Sequence, residues 1–464
     1  MRDIPAITPS ESHRVRRWDA LVLGGALPGL VAAVRIAKQG RRVLVVEEQK
    51  ATKRFGGLRE PFHLGGTGPD HVLGGALREL GIPLIDQRRF APQPEGLQVV
   101  LPDARVDVGP ALGMMDELAA WGLAPPDTAR AVLRALEQAG ARERQALLLA
   151  PLVRAGRRLP FAAGRVARGR AASASDGPRG LPPKLESAPE ILRTILDALV
   201  RALGHHAGSP PSAEARARLL GSALEGSVFV SGGGLRDILS RRLETLHVER
   251  RTLPGPVRLV SVAQQPGISP THTDEIWSGR VMLINAPRQA LAAAVDGDPP
   301  SLLRAQPATH HRVSLHFRAP RQLLPERMGD RLVCVGDPSR PIEEQLLVCV
   351  RSFPGENGAA DLVAGAVVSR DADPVEEIER VLRGLLPFSD DWLTHLPDEE
   401  PVWDHDRLLA DPARGRGWPC EYELRISSRP TVYALDRADV GSLGVEGELL
   451  LGWRGGDAIA AGLA

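Results

Sequence analysis

Residues 19–47 contain an apolar run, a glycine-rich turn, a segment of helical periodicity and a second apolar run that ends in an acid. Ala20–Leu23 is typical of a buried parallel strand. Gly24 and Gly25 permit a tight turn after it. Pro28 suits the first turn of a helix, and apolar residues recur after it every three or four positions. The order predicts a strand–turn–helix–strand unit with two parallel strands.

An acid at the end of the second strand suits an adenine dinucleotide. Glu47 is placed to accept hydrogen bonds from ribose hydroxyls, and free N–H groups near Pro28 and Gly29 would face the pyrophosphate. In the pattern G-x-G-x-x-G, which begins at Gly24, Ala26 replaces the second glycine. That glycine normally lets the backbone approach a phosphate. Two interpretations stay open: retained binding, or a plain βαβ unit that has lost its nucleotide.

Composition narrows the class of protein. The 464 residues suffice for two or three domains, and 43% apolar content suffices for a core. The 58 basic and 57 acidic residues nearly balance, which argues against nucleic-acid binding. Cys334, Cys349 and Cys420 lie far apart, so neither a zinc site nor a disulfide framework is expected. The sequence shows neither a signal peptide nor an apolar run long enough to span a membrane. We therefore expect a cytoplasmic protein that is soluble or peripheral to a membrane.

The rest of the chain divides into a helical part and a strand-rich part. Alternating residues around Pro102 predict a hairpin of residues 97–101 and 105–108. The expected helices are residues 112–121, 128–149, 188–203, 213–224, 235–246 and 374–386. An antiparallel sheet is expected from residues 312–317, 331–335 and 346–353. The last segment predicts a strand at 448–451, a glycine turn and a helix from Asp457 onward.

Taken in order, these motifs resemble the FAD-dependent amine oxidase and phytoene desaturase superfamily, whose fold also includes protoporphyrinogen oxidases and the escort proteins of small prenylated GTPases. The resemblance covers nearly the whole chain, and the phytoene-desaturase-like branch fits best. It rests on VLGGALPGL with Glu47, Gly56-Gly57 near Arg59, FHLGG, QVVLPDARVDV, SGGGLRDILSRRLE, LINAP, LLLGW and GGDAIAAGLA.

The resemblance implies an α/β fold. A Rossmann-like FAD-binding domain is built from three chain segments, with an inserted α+β substrate domain of helices and an antiparallel sheet. FAD is the implied cofactor, with its ADP half on the first segment, its pyrophosphate near the Gly-Gly turn and its flavin near the last segment. The implied cofactor-binding residues are Gly24, Gly25, Ala26, Pro28, Gly29, Leu30, Glu47, Glu48, Gly56, Gly57, Leu58, Arg59, Gly452, Trp453, Asp457, Ala458 and Ile459.

The same resemblance implies domain boundaries. We expect a disordered N-terminus at residues 1–15, FAD-binding segments at 16–90, 226–300 and 426–464, and substrate-domain segments at 91–225 and 301–425. The first substrate-domain segment is helical and carries a mobile basic loop at residues 154–184, rich in Arg, Ala, Gly, Ser and Pro.

Departures from the family pattern leave two functions open. The departures are Ala26, Leu58 in place of the arginine after Gly-Gly, a shortened connection at Glu60-Pro61, and Trp453 in place of an acid. The first function is an FAD-dependent oxidoreductase that takes hydride from an apolar, isoprenoid or carotenoid-like substrate. The alternative is a flavin-free or degenerate member that acts as a protein- or lipid-binding escort.

One absence bears on the chemistry. The amine oxidase branch places a lysine near flavin N5, but Lys38, Lys50, Lys53 and Lys184 all precede that position. Amine oxidation is therefore disfavoured.

Histidines suggest no metal centre. Adjacent residues such as His310 and His311 point to different faces of a strand, and acids or cysteines at ligand spacing are absent. His310 and His316 would share one face of a strand. We interpret them as ordinary polar residues of a sheet rather than as catalytic residues. No catalytic residue is identified. The expected ligand is an apolar small molecule, with a peripheral membrane or a protein as a further expected partner.

Overall fold

The structure is a computed structural model. It describes residues 4–9, 13–48, 61–93, 96–149, 153–154, 180–204, 210–230, 234–253, 255–271, 273–286, 288–303, 310–369, 371–386, 388–396, 408–409, 422–436, 440 and 442–464. The helices are α1 (Leu27–Lys38), α2 (Val72–Leu80), α3 (Leu84–Gln87), α4 (Ala111–Ala120), α5 (Pro126–Leu149), α6 (Glu190–Leu203), α7 (Ala213–Leu224), α8 (Gly234–Thr245), α9 (Arg288–Ala294), α10 (Val375–Leu385) and α11 (Gly444–Gly462). The strands are β1 (Arg14–Leu23), β2 (Val43–Glu48), β3 (Phe90–Gln93), β4 (Leu97–Leu101), β5 (Ala104–Val108), β6 (Val153–Arg154), β7 (Ser227–Val230), β8 (Glu249–Leu253), β9 (Val257–Val262), β10 (Gln265–Pro270), β11 (Glu275–Ile284), β12 (His310–Pro320), β13 (Arg331–Cys334), β14 (Val348–Pro354), β15 (Ala359–Ser369), β16 (Thr394–His395), β17 (Leu408–Leu409), β18 (Tyr422–Glu423), β19 (Arg425–Ser428) and β20 (Thr431–Ala434).

A mostly parallel sheet, which we call the parallel sheet, contains the first βαβ unit. Its strand order is β19-β20-β11-β1-β2-β8, with the β9–β10 hairpin joined to β11. Ala20 pairs with Val43 and Leu23 with Val46, both in parallel register. The predicted strand–turn–helix–strand unit is confirmed. Three separate parts of the chain supply the strands of this sheet: residues 14–48, 249–284 and 425–434.

The second large sheet, which we call the antiparallel sheet, has the order β16-β12-β15-β14-β13-β4-β5, and β17 also pairs with β12. The predicted hairpin is present as β4 and β5. One face of the sheet packs on helices α4 to α7 through residues such as Val333 and Cys349. The other face packs on α10 through Leu332, Val350 and their neighbours.

The mixed α/β fold class is confirmed. Helix α1 lies between the parallel sheet and helix α11, and eleven of its twelve residues are buried. The apolar positions that predicted the helix therefore contact partners on both sides. Each fully buried aliphatic side chain contributes about 1.5–3 kcal/mol to folding.

The structure describes part of the N-terminal segment, which we expect to be disordered over residues 1–15. Within the described part of this segment, Ile4 is fully buried. The backbone of this segment also joins Ser261, through Ile7 N–H to Ser261 O at 2.9 Å and Ser261 N–H to Pro5 O at 2.8 Å. The expected mobile loop at 154–184 falls largely outside the described residues. Within the described residues, no helix is both long and apolar enough to cross a membrane.

Candidate functional site

The glycine turn between β1 and α1 has a geometry that only glycine accepts. Gly24 has φ +108°, and a Cβ at this position would lie 2.5 Å from the backbone nitrogen of Ala286. The Gly24 N–H donates to Val46 O at 2.9 Å, which fixes the turn at the carboxyl ends of β1 and β2. Ligands bind at this edge of a doubly wound sheet.

Glu47 lies at the same edge, and its carboxylate covers Gly25. A Cβ on Gly25 would meet Glu47 Oε1 at 2.7 Å. The two carboxylate oxygens accept from Arg250 Nη2 at 2.9 and 3.0 Å, and Arg236 Nη2 lies 3.8 Å from Oε2. Glu47, which we predict to bind a ribose, thus lies at this edge, where it is paired with an arginine from β8.

The remaining predicted residues of the turn are covered. Ala26 precedes α1 and has 0% exposure, and Gly24 through Leu30 are all buried. Gly29 packs against the Asn285 side chain, which follows β11. Asn285 Nδ2 donates to Leu435 O at 3.1 Å, and Asn285 Oδ1 has no hydrogen-bond partner among the described residues.

These observations test whether an adenine dinucleotide fits. The position of Glu47 and the N-terminus of α1 fit the ribose and the pyrophosphate. The face of Ala26 does not admit a phosphate in this conformation because no surface of that residue is exposed. Binding of a nucleotide at this residue therefore requires a conformational change that exposes Ala26.

Five other predicted residues are described in part or not at all. Glu48 ends β2, and its side chain lies outside the described part. Gly56, Gly57, Leu58 and Arg59 also lie outside it. The roles implied for them stay predictions.

The predicted strand and turn near the C-terminus are wrong. Residues 448–451 and the glycines after them belong to the continuous helix α11. A Cβ at Gly452 would lie 2.5 Å from Pro28 O, and one at Gly456 would lie 2.9 Å from Ala32 Cα. These glycines allow α11 to approach α1, since they lie four positions apart on one helix face.

The other predicted residues of this segment also lie within α11. Asp457 Oδ1 forms an ion pair with Arg35 Nη2 at 2.6 Å. The Trp453 ring lies beneath the Arg454 guanidinium and faces Gly75. Ala458 and Ile459 occupy the next turn, with Ile459 fully buried. The cofactor role assigned to these positions depended on a turn that this segment lacks.

The third part of the parallel sheet is instead the pair β19 and β20, of which β20 pairs in parallel with β11. Asp436 follows this strand, and α11 begins after it at Gly444, where φ is +57°. The signal was present in the β-branched and aromatic residues of TVYA and in a glycine at the start of an apolar helical segment.

A buried ion network joins α7 to the first turn of α11, and sequence reasoning missed it. Arg218 is 1% exposed and binds Glu446 through both Nε, at 2.6 Å to Oε2, and Nη2. Glu225 accepts from Arg144, and His71 Nδ1 lies 3.3 Å from its other oxygen. Two arginines thus meet two carboxylates in the interior, which limits the desolvation cost of each charge.

His63 borders this network. Its Nε2 lies 3.4 Å from Ser222 Oγ, and both residues are buried. Burial, together with the positive charge of Arg331, lowers the pKa of His63 to about 3, so its imidazole is neutral at neutral pH. A cavity of about 30 Å³ lies beside His63 and Ser222, and its lining also includes Phe62, Leu219, Leu443 and Glu446. This volume accommodates water but not a larger molecule.

Comparisons with known proteins show the fold. No protein-family model matches the chain, and no curated protein matches its sequence. An oxidoreductase from Methanosarcina mazei is similar in structure, with a TM-score of 0.56, 16% identity, and 94% of this chain and 98% of that chain covered. A variant of putrescine oxidase has a TM-score of 0.53 at 15% identity, covering 97% of this chain and all of its own. Cyclohexylamine oxidase from Brevibacterium oxydans has a TM-score of 0.50 at 16% identity, covering 96% and 99%. The chain therefore has the fold of these oxidoreductases.

Proposed function

We propose that the chain binds FAD at the carboxyl edge of the parallel sheet and acts as an oxidoreductase. The observation that carries this proposal is the placement of Glu47. Its carboxylate lies against the Gly24–Gly25 turn, at the ends of two adjacent parallel strands and beside the N-terminus of α1. FAD, when bound, supplies the acceptor for a hydride.

The chain's own residues have defined tasks in this proposal. Glu47 accepts hydrogen bonds from the ribose hydroxyls, and Arg250 holds the carboxylate in position from β8. In a conformation that exposes this turn, the first N–H groups of α1 would hold the pyrophosphate, because the helix dipole favours negative charge there. Gly24 keeps the turn tight enough for this approach.

The substrate in this proposal is apolar. More specifically, we propose an isoprenoid or carotenoid-like molecule. Apolar side chains from α6, α7 and α11 that line the cavity beside His63 support it. A volume of about 30 Å³ is too small for such a chain, so substrate entry requires these helices to separate. We also propose that the protein is cytoplasmic and that a membrane delivers its apolar substrate.

A second function is favoured by one specific observation. Ala26 has no exposed surface, and Glu47 already has arginine partners, so the turn is complete without a ligand. A flavin-free protein that uses this two-sheet body to bind a protein or lipid would have such a turn.

An absorption spectrum of the purified protein, before and after incubation with FAD, separates the two functions. Visible flavin bands that survive gel filtration support the first, and a colourless protein after incubation supports the second. Ala26→Gly should bind FAD at least as tightly as the wild type, because it removes the methyl group from the phosphate face.

Variants then locate the bound FAD. Glu47→Gln should weaken FAD binding about tenfold or more, since a charged acceptor for the ribose is lost. The matched control is Glu249→Gln, which alters an arginine-paired acid at the opposite end of β8. Equal losses in both variants would contradict the assignment of Glu47.

A further inference from the structure

A cavity lies at the end of the β4–β5 hairpin, on the face of the antiparallel sheet that packs on α10. Its volume is about 510 Å³, within the range of about 300–1,000 Å³ that is usual for small-molecule sites. Strand β13, helix α10 and Trp121, which follows α4, complete the lining, and we call it the Trp121 cavity. All of its lining residues belong to the described part of the chain, and none belongs to the glycine turn.

The buried part of the lining is apolar. Cys334 and Leu385 are buried there, and Val100 and Val381 are partly buried. Burial raises the pKa of the Cys334 thiol to about 12, so this thiol is uncharged at neutral pH. This part of the cavity therefore suits the apolar body of a ligand.

Trp121 offers an aromatic face at the cavity. Its side chain is 47% exposed, and within the described residues no side chain stacks on its indole or forms a hydrogen bond with it. Aromatic rings favour offset or edge-to-face contacts with other rings. An aromatic ligand would thus find a partner that the protein itself does not use.

Gly384 keeps one wall of the cavity open. It lies within α10, where glycine is a poor helix former. A Cβ at this position would meet no atom within 4 Å, and the φ of Gly384 is not positive. Neither packing nor backbone conformation requires glycine here, and its missing side chain leaves the space beside α10 unfilled.

The charged residues of the lining are two arginines and one acid. Arg105 is partly exposed, and its Nη2 donates to Leu385 O at 3.4 Å, which leaves other N–H groups of this guanidinium for a ligand. Arg380 lies 3.4 Å from Glu377, but both side chains are largely exposed, so this pair is weak. Asp103 is exposed at the hairpin turn, and the lining keeps an excess of positive charge.

We propose that the Trp121 cavity binds an aromatic carboxylic acid. Its ring lies against Trp121 and the buried apolar lining, and its carboxylate accepts from Arg105 and Arg380. Arginine suits this task because its planar fork of donors matches a carboxylate. The site does not depend on FAD, since it uses no residue of the glycine turn.

Isothermal titration calorimetry of the full-length protein tests the proposal at constant ionic strength. The probe is sodium 1-naphthaleneacetate, with the neutral 1-naphthaleneacetamide and the non-aromatic sodium octanoate in separate titrations. Saturable binding of naphthaleneacetate is expected, about tenfold or more tighter than that of the amide, because the amide lacks the charged acceptor. Octanoate should bind more weakly than naphthaleneacetate, since it cannot stack on an indole.

A variant that fills the cavity locates the bound acid. Gly384→Leu places a side chain beside the ligand and should weaken binding about tenfold or more. The matched control is Gly113→Leu on α4, because a Cβ there also meets no atom within 4 Å but Gly113 does not line the cavity. It should bind naphthaleneacetate as the wild type does.

Charge variants test the carboxylate contacts. Arg105→Gln and Arg380→Gln should each weaken binding, by about tenfold for the partly buried Arg105, because a charged donor is lost. Arg383→Gln is the control on the same helix, where Arg383 is paired with Asp390 at 3.0 Å outside the cavity. Asp103→Asn should bind the acid at least as tightly as the wild type, since it removes a like charge.

The proposal is overturned if the wild type does not bind naphthaleneacetate saturably, or if the amide or octanoate binds equally well. It is also overturned if Gly384→Leu and Arg105→Gln both bind as the wild type does. Should one of these variants fail to fold, the other still decides. A protein that takes up no FAD but binds naphthaleneacetate would refute only the proposed function, and the converse would refute only this site.

Discussion

The turn at Gly24 and the buried junction around Arg218 are built by different means. At the turn, the residues in contact come from adjacent parallel strands, and the space left by a missing Cβ decides the geometry. At the junction, Arg218 and Glu446 are 228 positions apart, and paired charges decide it. The turn should therefore be sensitive to added atoms, and the junction to the loss of a charge.

The largest effect is expected at the junction. Arg218→Met leaves Glu446 buried without its partner, which should lower the free energy of unfolding by about 3–5 kcal/mol. Urea unfolding of the variant and the wild type measures it. In the matched control, Arg216→Met on the same helix removes a pair with the partly exposed Asp197 and should cost less than about 1 kcal/mol.

A double variant distinguishes lost charge balance from lost packing. Arg218→Met combined with Glu446→Leu removes both charges, so it should be more stable than Arg218→Met alone. Equal stability of the double and single variants would show that the ion pair is not what holds this junction.

Acid should weaken the junction through His63. The pKa of this imidazole is lowered to about 3 in the folded chain, below its ordinary value of 6.5, so the unfolded chain binds more protons between these values. Stability should therefore be complete above pH 6.5 and should fall by about 1.4 kcal/mol per pH unit below it, or about 3 kcal/mol by pH 4.

Urea unfolding between pH 7 and pH 4 tests this dependence by comparison with His63→Gln. The difference in stability between the two proteins should change with pH in the stated direction, which cancels the contributions of other groups. A constant difference would mean that His63 is not the group that couples stability to pH.

At the turn, the addition of a single methyl group should be enough to destabilise the protein. Gly24→Ala requires φ +108° from an L-residue and places a Cβ 2.5 Å from the backbone of Ala286, so it should cost about 2–3 kcal/mol. Gly25→Ala is the control, because its new Cβ meets side-chain atoms of Glu47 and no backbone atom, and Gly25 does not have a positive φ. Thermal unfolding that is equally affected in both variants would contradict the special role of Gly24.

The first βαβ unit, the helices before residue 225 and the β4–β5 hairpin could be predicted because local periodicity determines them. The pair Arg218–Glu446 and the Trp121 cavity could not, since they depend on which elements pack together. The order of motifs indicated the fold, but the packing of Gly24 and Gly29 against Ala286 and Asn285 depends on residues that are distant in the sequence.

The C-terminal segment shows most clearly how tertiary packing can override a local sequence signal. Gly452, Gly455 and Gly456 predicted a turn because glycine is a poor helix former. Within α11, however, two of these glycines lie against α1, and the closeness of the two helices offsets the weak helical preference. A glycine cluster predicts a turn or a helix crossing, and only the partner helix decides between them.

The smallest expected change in stability distinguishes two roles of Gly452, which are helix packing and cofactor binding. Gly452→Ala gains helix propensity but places a Cβ 2.5 Å from Pro28 O and 2.7 Å from Val31 Cβ, so we expect a net loss of about 1–2 kcal/mol in urea unfolding. Gly462→Ala, in the last turn of the same helix, has no atom nearer than 4.0 Å and should be neutral or slightly stabilising. If Gly452 instead held a cofactor, its variant would lose FAD affinity at unchanged stability, because a turn open to ligand has room for a methyl group.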